Sequence, residues 1–290
     1  MTDKTSLGDR MKQYEVITQS ELMRRTPVII RVDGRAFHTL VPKLFNEGVD
    51  PSLLTSPFSV KLHETMTAVT CALFNQIQNS VFAYTQSDEV SLLLRDWDKH
   101  ETQQWFGGNI QKIVSVSASI ATAMFNYFSV GTSIKPEWFG EVAQFDSRVF
   151  NVPKEEVVNY FVWRQQDASR NSVQQLARFY FSHKQLHKKN NSEIQDMLME
   201  QHKVNWNNLP TWQKRGSCVY TNPTWSMFSS LHRAYVDEEC PIFTQDRSYV
   251  EKWLTADSQP GLPKVGDGWR NTETGEFKVF DGDNWVDPVW

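Results

Sequence analysis

PVIIRVDG, residues 27–34, reads as a buried strand that stops at a turn. Val28, Ile29, Ile30 and Val32 favour a pleated backbone, while Asp33 followed by Gly34 favours a chain reversal. Downstream, SVFAY (80–84) and EVSLLL (89–94) are two more strand candidates, flanking TQSD in the manner of a hairpin. FDSRVFNV (145–152) is a fourth, closed by Pro153. Between these runs the period changes. Residues 59–79 carry Leu62, Met66, Val69, Leu73 and Ile77 at helical spacing, after the start signals Pro57 and Ser59. Residues 109–128 do the same with Ile113, Ile120, Met124 and Phe128. The stretch between Gly34 and Pro57 contains Pro and reads as a loop. The order β-α-β-β-α-β is the split βαβ, ferredoxin-like arrangement: an α/β (α+β) fold whose palm-like sheet carries helices on one face.

The remainder of the chain divides by composition. Residues 1–152 form a palm-like domain, and 153–258 a mostly helical region in which Pro153 opens a helix through Val157, Tyr160, Phe161 and Arg164. Residues 259–290 form a Gly- and Asp-rich appendage, with GEFKVFDGDNWV as a short β-hairpin. Within 182–215 six Lys and Arg face three Asp and Glu, the most basic stretch of a chain whose net charge is −4. That overall charge excludes a globally basic nucleic-acid binder but leaves room for a local basic patch. Hydrophobic residues at 40% of 290 exclude global disorder. Cys71, Cys218 and Cys240 are odd in number and form no CxxC, which excludes a disulfide scaffold or a zinc knuckle. The first 25 residues lack an apolar core, and no apolar run is long enough to span a bilayer, so a cytoplasmic protein is expected.

Three constellations carry candidate chemistry. Asp33 ends the first strand, and Asp88 with Glu89 sits in the hairpin between the second and third. In this topology strand one lies beside strand three, so these carboxylates meet. Oxygen ligands at one point suit two Mg²⁺ ions about 3.5–4 Å apart. Taken singly, each is an ordinary turn residue. Second, DGRAFH (33–38) follows a strand directly, and its backbone N–H groups, with Arg31 and Arg35, suit a triphosphate. His38 is a candidate base contact. Third, Lys112 on the second helix would neutralise phosphate charge if that helix flanks the acidic residues.

LGDRMKQYE (7–15), RVDGRAFH (31–38), QSDEVS (86–91), QKIVSVSAS (111–119), FDSRVF (145–150), WRQQDASRN (163–171), FSHKQL (181–186) and NWNNLPTWQKRG (205–216) together resemble the tRNA-His guanylyltransferase superfamily. The similarity is greater to its bacterial and phage "guanylyltransferase-like" branch of 3′–5′ RNA polymerases. The resemblance implies a metal-dependent nucleotidyltransferase that uses ATP and GTP and extends the 5′ end of tRNA. It implies Asp33, Asp88 and Glu89 as catalytic residues, and Asp33, Asp88 and the Gly34 carbonyl as ligands of two Mg²⁺ ions. It also implies Arg31, Gly34, Arg35, Ala36, Phe37, His38, Ser87 and Lys112 around nucleotide, and Lys184, Asn207 and Arg215 on RNA. A homotetramer follows on the same ground. Where the eukaryotic enzymes have His-Ile-Asn-Asn, this chain has Ser169, Arg170, Asn171 and Ser172. Template-directed 5′-end repair is therefore expected over fixed guanosine addition. The family's Lys-Pro-x-Asp reads Ser56-Pro57-Phe58-Ser59. Two other readings share the fold: a non-catalytic ferredoxin-like RNA-binding module using Phe82 and Tyr84, and a palm-type nucleotide cyclase.

Overall fold

In the computed structural model, which describes residues 6–45, 56–130, 142–222, 233–255, 268–270, 277–280 and 285–286, the first strand is β1 (Val28–Gly34), inside a six-stranded sheet. β3 (Glu89–Leu94) pairs with it on one side and β4 (Phe145–Asn151) on the other, both antiparallel. β2 (Ser80–Gln86) lies outside β3, giving the order β4-β1-β3-β2 expected of a split βαβ sheet. β5 (Ser217–Thr221) and β6 (Ala234–Asp237) extend the sheet beyond β2. The residue pattern of 153–258 reads as mostly helical and misses this pair. Each is five residues or fewer, too short for alternation to stand out.

Period two along the strands divides the core. Val28, Ile30, Val32, Val90, Leu92 and Leu94 pack with α3 (Val60–Gln76) and α4 (Ile110–Val130) on one face. Ile29, Phe82, Tyr84, Leu93 and Cys218 face the other way, beneath α5 (Val157–Tyr180) and Phe243, Val250 and Trp253. Both faces are therefore covered, which is why β2 and β3 are near-continuous apolar runs. Phe82 and Tyr84 are 0% and 1% exposed, so the sheet presents no aromatic platform to RNA at these two positions.

Local signals set several boundaries. The Ser59 hydroxyl accepts from Leu62 N–H and starts α3, which ends at Gln76 because Ile77 is extended and Asn79 left-handed. The stretch read as a loop after Gly34 instead holds α2 (Phe37–Phe45), which tolerates Pro42 because Phe37, Leu40, Val41, Leu44 and Phe45 pack onto the core. α1 (Leu7–Val16) buries no residue and leaves Leu7, Met11 and Tyr14 exposed. After α5 come α6 (His183–Leu186), α7 (Asn191–His202) and α8 (Thr211–Arg215). Ile194 and Leu198 of α7 pack on Val173, Leu176 and Ala177, a separate cluster that fixes the second half of α5. α9 (Ser248–Glu251) follows β6. Beyond it β7 (Gly268–Arg270), β8 (Phe277–Phe280) and β9 (Trp285–Val286) pair among themselves as a second sheet.

Candidate active site

β1 and β2 end where β3 and β4 begin, and all four bring polar residues to that end of the sheet. On the α5 face, Arg31 pairs across with Ser91 of β3 and Arg148 of β4, and Asp33 with Glu89 and Asp146. The same alternation that turns Ile29 and Leu93 toward α5 turns Asp33 and Glu89 to the same face, Asp33 half-buried and Glu89 buried. The β2–β3 connection is a two-residue turn, Ser87-Asp88, with Ser87 at φ 51°, the left-handed region. The turn is latched to β1, because the Gly34 N–H donates to the Asp88 carbonyl at 3.0 Å. Gly34 is packed hard: an added Cβ would lie 2.5 Å from the Phe37 ring and 2.9 Å from the Asp88 Cβ.

Electrostatics single out two of the carboxylates. Burial raises the Asp33 carboxyl above the ordinary carboxylate range, and the Asp146 charge adds to the effect. Burial pushes Asp88 up to about 6, against its own backbone hydrogen bond, with Asp33 raising it further. These are two half-buried acids that repel one another. Glu89 differs. Burial raises it too, but Arg164 of α5 opposes this, donating Nε to Oε1 and Nη2 to Oε2, each at 2.7 Å.

A cleft of about 540 Å³ opens beside these acids, bounded by the β2–β3 turn, the start of α3, the middle of α5, and α8. Gly216 brings α8 there: its Cα approaches so closely that an added Cβ would lie 2.4 Å from the Thr85 carbonyl. Its φ of 76° is one that L side chains rarely adopt. His63 of α3 stacks on Trp212 of α8 at 4.2 Å and 11°, and its Nε2 lies 2.8 Å from Glu238. Arg31 Nε and Gln213 Oε1 are buried at the lining without a hydrogen-bond partner among the described residues. Burial and the neighbouring Arg215 lower the Lys214 pKa, so α8 offers two cations side by side.

Among the described residues, no three His, Cys, Asp or Glu side chains gather tightly enough to enclose a metal ion. Asp33 and Asp88 nevertheless fit Mg²⁺. They are hard oxygen donors, raised in pKa where a cation would relieve them, and they leave most of a coordination shell to water and phosphate.

The structure brings Arg31, Asp33, Ser87, Asp88, Glu89 and Arg215 together at the cleft. Arg35, Ala36 and His38 are exposed on the β4 side, where Arg35 Nη1 donates to Gln144 Oε1 at 2.8 Å. Phe37 is 4% exposed and packs edge-on against Phe125 and Phe145, so its side chain belongs to the core. Only its backbone, in the first turn of α2, is free to meet a phosphate. Lys112 is not brought to the acids. It lies in the first turn of α4, where its N–H donates to Asn109 and Gln111 reaches Thr18, whereas the opposite end of α4 contacts Ala143 through Asn126. α4 reaches the level of Gly34 only at Thr122, whose hydroxyl accepts from Phe145 N–H ten helical residues (about 15 Å) beyond Lys112, and it packs on the sheet face away from Asp33 and Glu89. Asn207 is exposed, and its carbonyl accepts from Lys214 Nζ at 2.6 Å; Lys184 is exposed on α6, away from the cleft lining.

Sequence reasoning passes over Asp146, which the β1–β4 register sets opposite Asp33. Laying FDSRVF beside RVDG would find it. It also gives no site role to His63, or to Trp212, Gln213 and Lys214, although the last three lie in the block 205–216 and adjoin Arg215.

Comparison with known proteins agrees with this geometry. Residues 8–153 match the family described as Thg1: tRNAHis guanylyltransferase. A bacterial tRNA(His) guanylyltransferase (Thg1)-like protein, solved in complex with ATP, is 41% identical with a TM-score of 0.72, over 86% of this chain and 99% of its own. One solved in complex with GTP is 38% identical with a TM-score of 0.67, over the same shares. The tRNA(His) guanylyltransferase of Kluyveromyces lactis is 29% identical over 224 residues, 72% of this chain and 87% of its own length. A nucleotidyltransferase on a palm-like sheet, the chain belongs to the tRNAHis guanylyltransferase family.

Proposed function

We propose that this chain adds nucleotides in the 3′–5′ direction to the 5′ end of tRNA, repairing truncated ends against the opposing strand rather than adding one fixed guanosine. The observation that carries the reading is the repelling Asp33–Asp88 pair at the mouth of a cleft lined by Arg31, Lys214 and Arg215. Negative charge that develops on phosphate needs cations and preorganised donors around it, and this arrangement supplies both. The ATP and GTP complexes of the two bacterial relatives support nucleoside triphosphates as substrates. Beyond Arg164 and Asp167, the part of α5 that continues along the cleft, Asn171, Ser172 and Gln175, is neutral and hydrogen-bonding, with no His-Ile-Asn-Asn to read one tRNA. That supports repair over fixed addition.

Mg²⁺ held by Asp33, Asp88 and the Gly34 carbonyl would supply Lewis-acid stabilisation of phosphate charge. The chain's own groups do the rest. The α2 N-terminus accepts phosphate oxygens through first-turn N–H groups, helped by Arg35. Arg31, Lys214 and Arg215 neutralise the triphosphate, and the exposed lysines of α6 and its following loop, Lys184 and Lys188, hold the RNA backbone. In this reading a tRNA 5′-phosphate attacks the α-phosphate of ATP with release of pyrophosphate. A nucleotide 3′-hydroxyl then displaces AMP from the adenylylated end. The exposed Leu7, Met11 and Tyr14 of α1 support assembly into a homo-oligomer, with a tetramer expected.

The test is incubation of a 5′-labelled tRNA lacking its first nucleotide with Mg²⁺, ATP and each triphosphate in turn. Addition of whichever base complements the opposing strand, following that base when it is changed, supports repair. Addition of guanosine whatever lies opposite overturns it, and no extension at all overturns the polymerase reading.

A further inference from the structure

Asp146, opposite Asp33, is exposed, lies outside the cleft lining and pairs with Arg148 at 3.3 Å. Glu89 is the third carboxylate at this end of the sheet that does line the cleft, next to Asp88 in sequence and opposite Asp33 across β1 and β3. Left bare, it would join any cation that the other two attract. Its surroundings prevent that. One guanidinium, Arg164, engages both Glu89 oxygens at 2.7 Å in a fork–fork pair whose two side chains are 6% and 8% exposed. Arg164 is itself fixed: Nη2 also donates to Asp167 Oδ2 at 3.0 Å, and the Trp163 ring lies 4.4 Å from its central carbon. Behind the pair, Ser91 Oγ lies 2.8 Å from the Tyr160 hydroxyl. A bidentate arginine cancels the Glu89 charge and occupies the paired lone-pair positions that a chelated cation would otherwise take. Such a buried pair is a poor source of stability, because the loss of hydration offsets the attraction. Stability therefore does not account for a guanidinium at this spot.

We propose that Arg164 is a positioning residue that withholds Glu89 from the divalent cation, so that two carboxylates face the ion and not three. The same fork sets the register of α5 over the sheet, which turns Asn171, Ser172 and Gln175 toward the cleft. A third carboxylate in the shell would hold the ion more tightly while taking a position that phosphate oxygens need. The inference rests on the metal reading given above, and its test separates the failure of one from the failure of the other.

The experiment is titration of nucleotide-free protein with Mn²⁺, following free Mn²⁺ by its paramagnetic resonance signal, with unfolding midpoints measured alongside. Arg164→Gln frees a full negative charge beside Asp33 and Asp88, so it should bind Mn²⁺ at least about fivefold more tightly than wild type even at a water-like dielectric. Glu89→Gln with Arg164→Gln replaces the pair by two neutral amides and should stay within about threefold of wild type, because neither the net charge nor the ligand set changes. A purely structural Arg164 would not tighten cation binding. Unchanged affinity in Arg164→Gln overturns the proposal, as does a loss of tenfold or more (roughly, a lost ligand) in the folded double variant. Asp88→Asn tests the foundation: if it retains wild-type Mn²⁺ affinity, the metal reading itself falls.

Discussion

A methyl group at position 34 has nowhere to go. Built on the β1 backbone, the Cβ of Gly34→Ala would lie 2.5 Å and 2.6 Å from two Phe37 ring carbons and 2.9 Å from the Asp88 Cβ. Ordinary carbon contacts begin near 3.4 Å, so the ring would have to retreat by about 1 Å. It cannot do so freely, since it is wedged 4.9 Å from the Phe125 ring and 5.0 Å from Phe145. Asp88 is no freer, because its carbonyl is tied to the Gly34 N–H. Overpacking of this kind costs about 1–3 kcal/mol of stability. A carboxylate displaced by about 1 Å loses on the order of a hundredfold in rate. Urea unfolding reads the first and single-turnover 5′-nucleotide addition reads the second. Adding Phe37→Leu removes ring atoms but leaves the Asp88 contact, so stability should recover in part while activity should not. A Gly34→Ala protein with the wild-type unfolding midpoint and rate would refute the reasoning.

Other outcomes follow from the same geometry. Asp33→Ala or Asp88→Ala should lower nucleotide addition by at least about a hundredfold with the fold intact, and near-wild-type turnover in Mg²⁺ would contradict the site. Asp88, with its pKa raised from 3.8 to about 6 in the fold, contributes stability that is full below 3.8 and lost as pH rises through about 6. In EDTA, Asp88→Asn should therefore stabilise the protein at pH 8 by about 1–3 kcal/mol, a gain that shrinks toward pH 4; chemical denaturation across pH would expose the opposite trend. Changing Lys184 and Lys188 to Gln should cut the slope of log affinity for tRNA against log salt by about 1.5–2 units, and an unchanged slope would make them plain solvated surface. Truncation after Ser258 removes strands that, among the described residues, pair with one another and not with the six-stranded sheet, so 5′-end addition should survive; its loss with assembly unchanged would assign the tail to the reaction.

What the sequence determined by itself was local and periodic. Val28, Ile30 and Val32 against Ile29, Arg31 and Asp33 define two faces of one strand, and turn chemistry ends it at Asp33-Gly34 and reverses the chain at Ser87-Asp88. From those signals the β-α-β-β-α-β order follows, and the order alone sets Asp33 beside Asp88. The partners of the remaining groups were decided by packing. Glu89 reads as a third equal acid until α5 folds over the sheet and brings Arg164 to it from 75 residues away. Lys112 reads as a phosphate contact until the direction of α4 carries it to the far end. Gly34 reads as a turn residue, and the fold adds a second demand on it, the close approach of Phe37 and Asp88. Periodicity and turn preference act within a few residues, so a sequence carries them openly. The partner of a charge and the contents of a gap depend on which distant segments are buried together, and only the tertiary structure settles that.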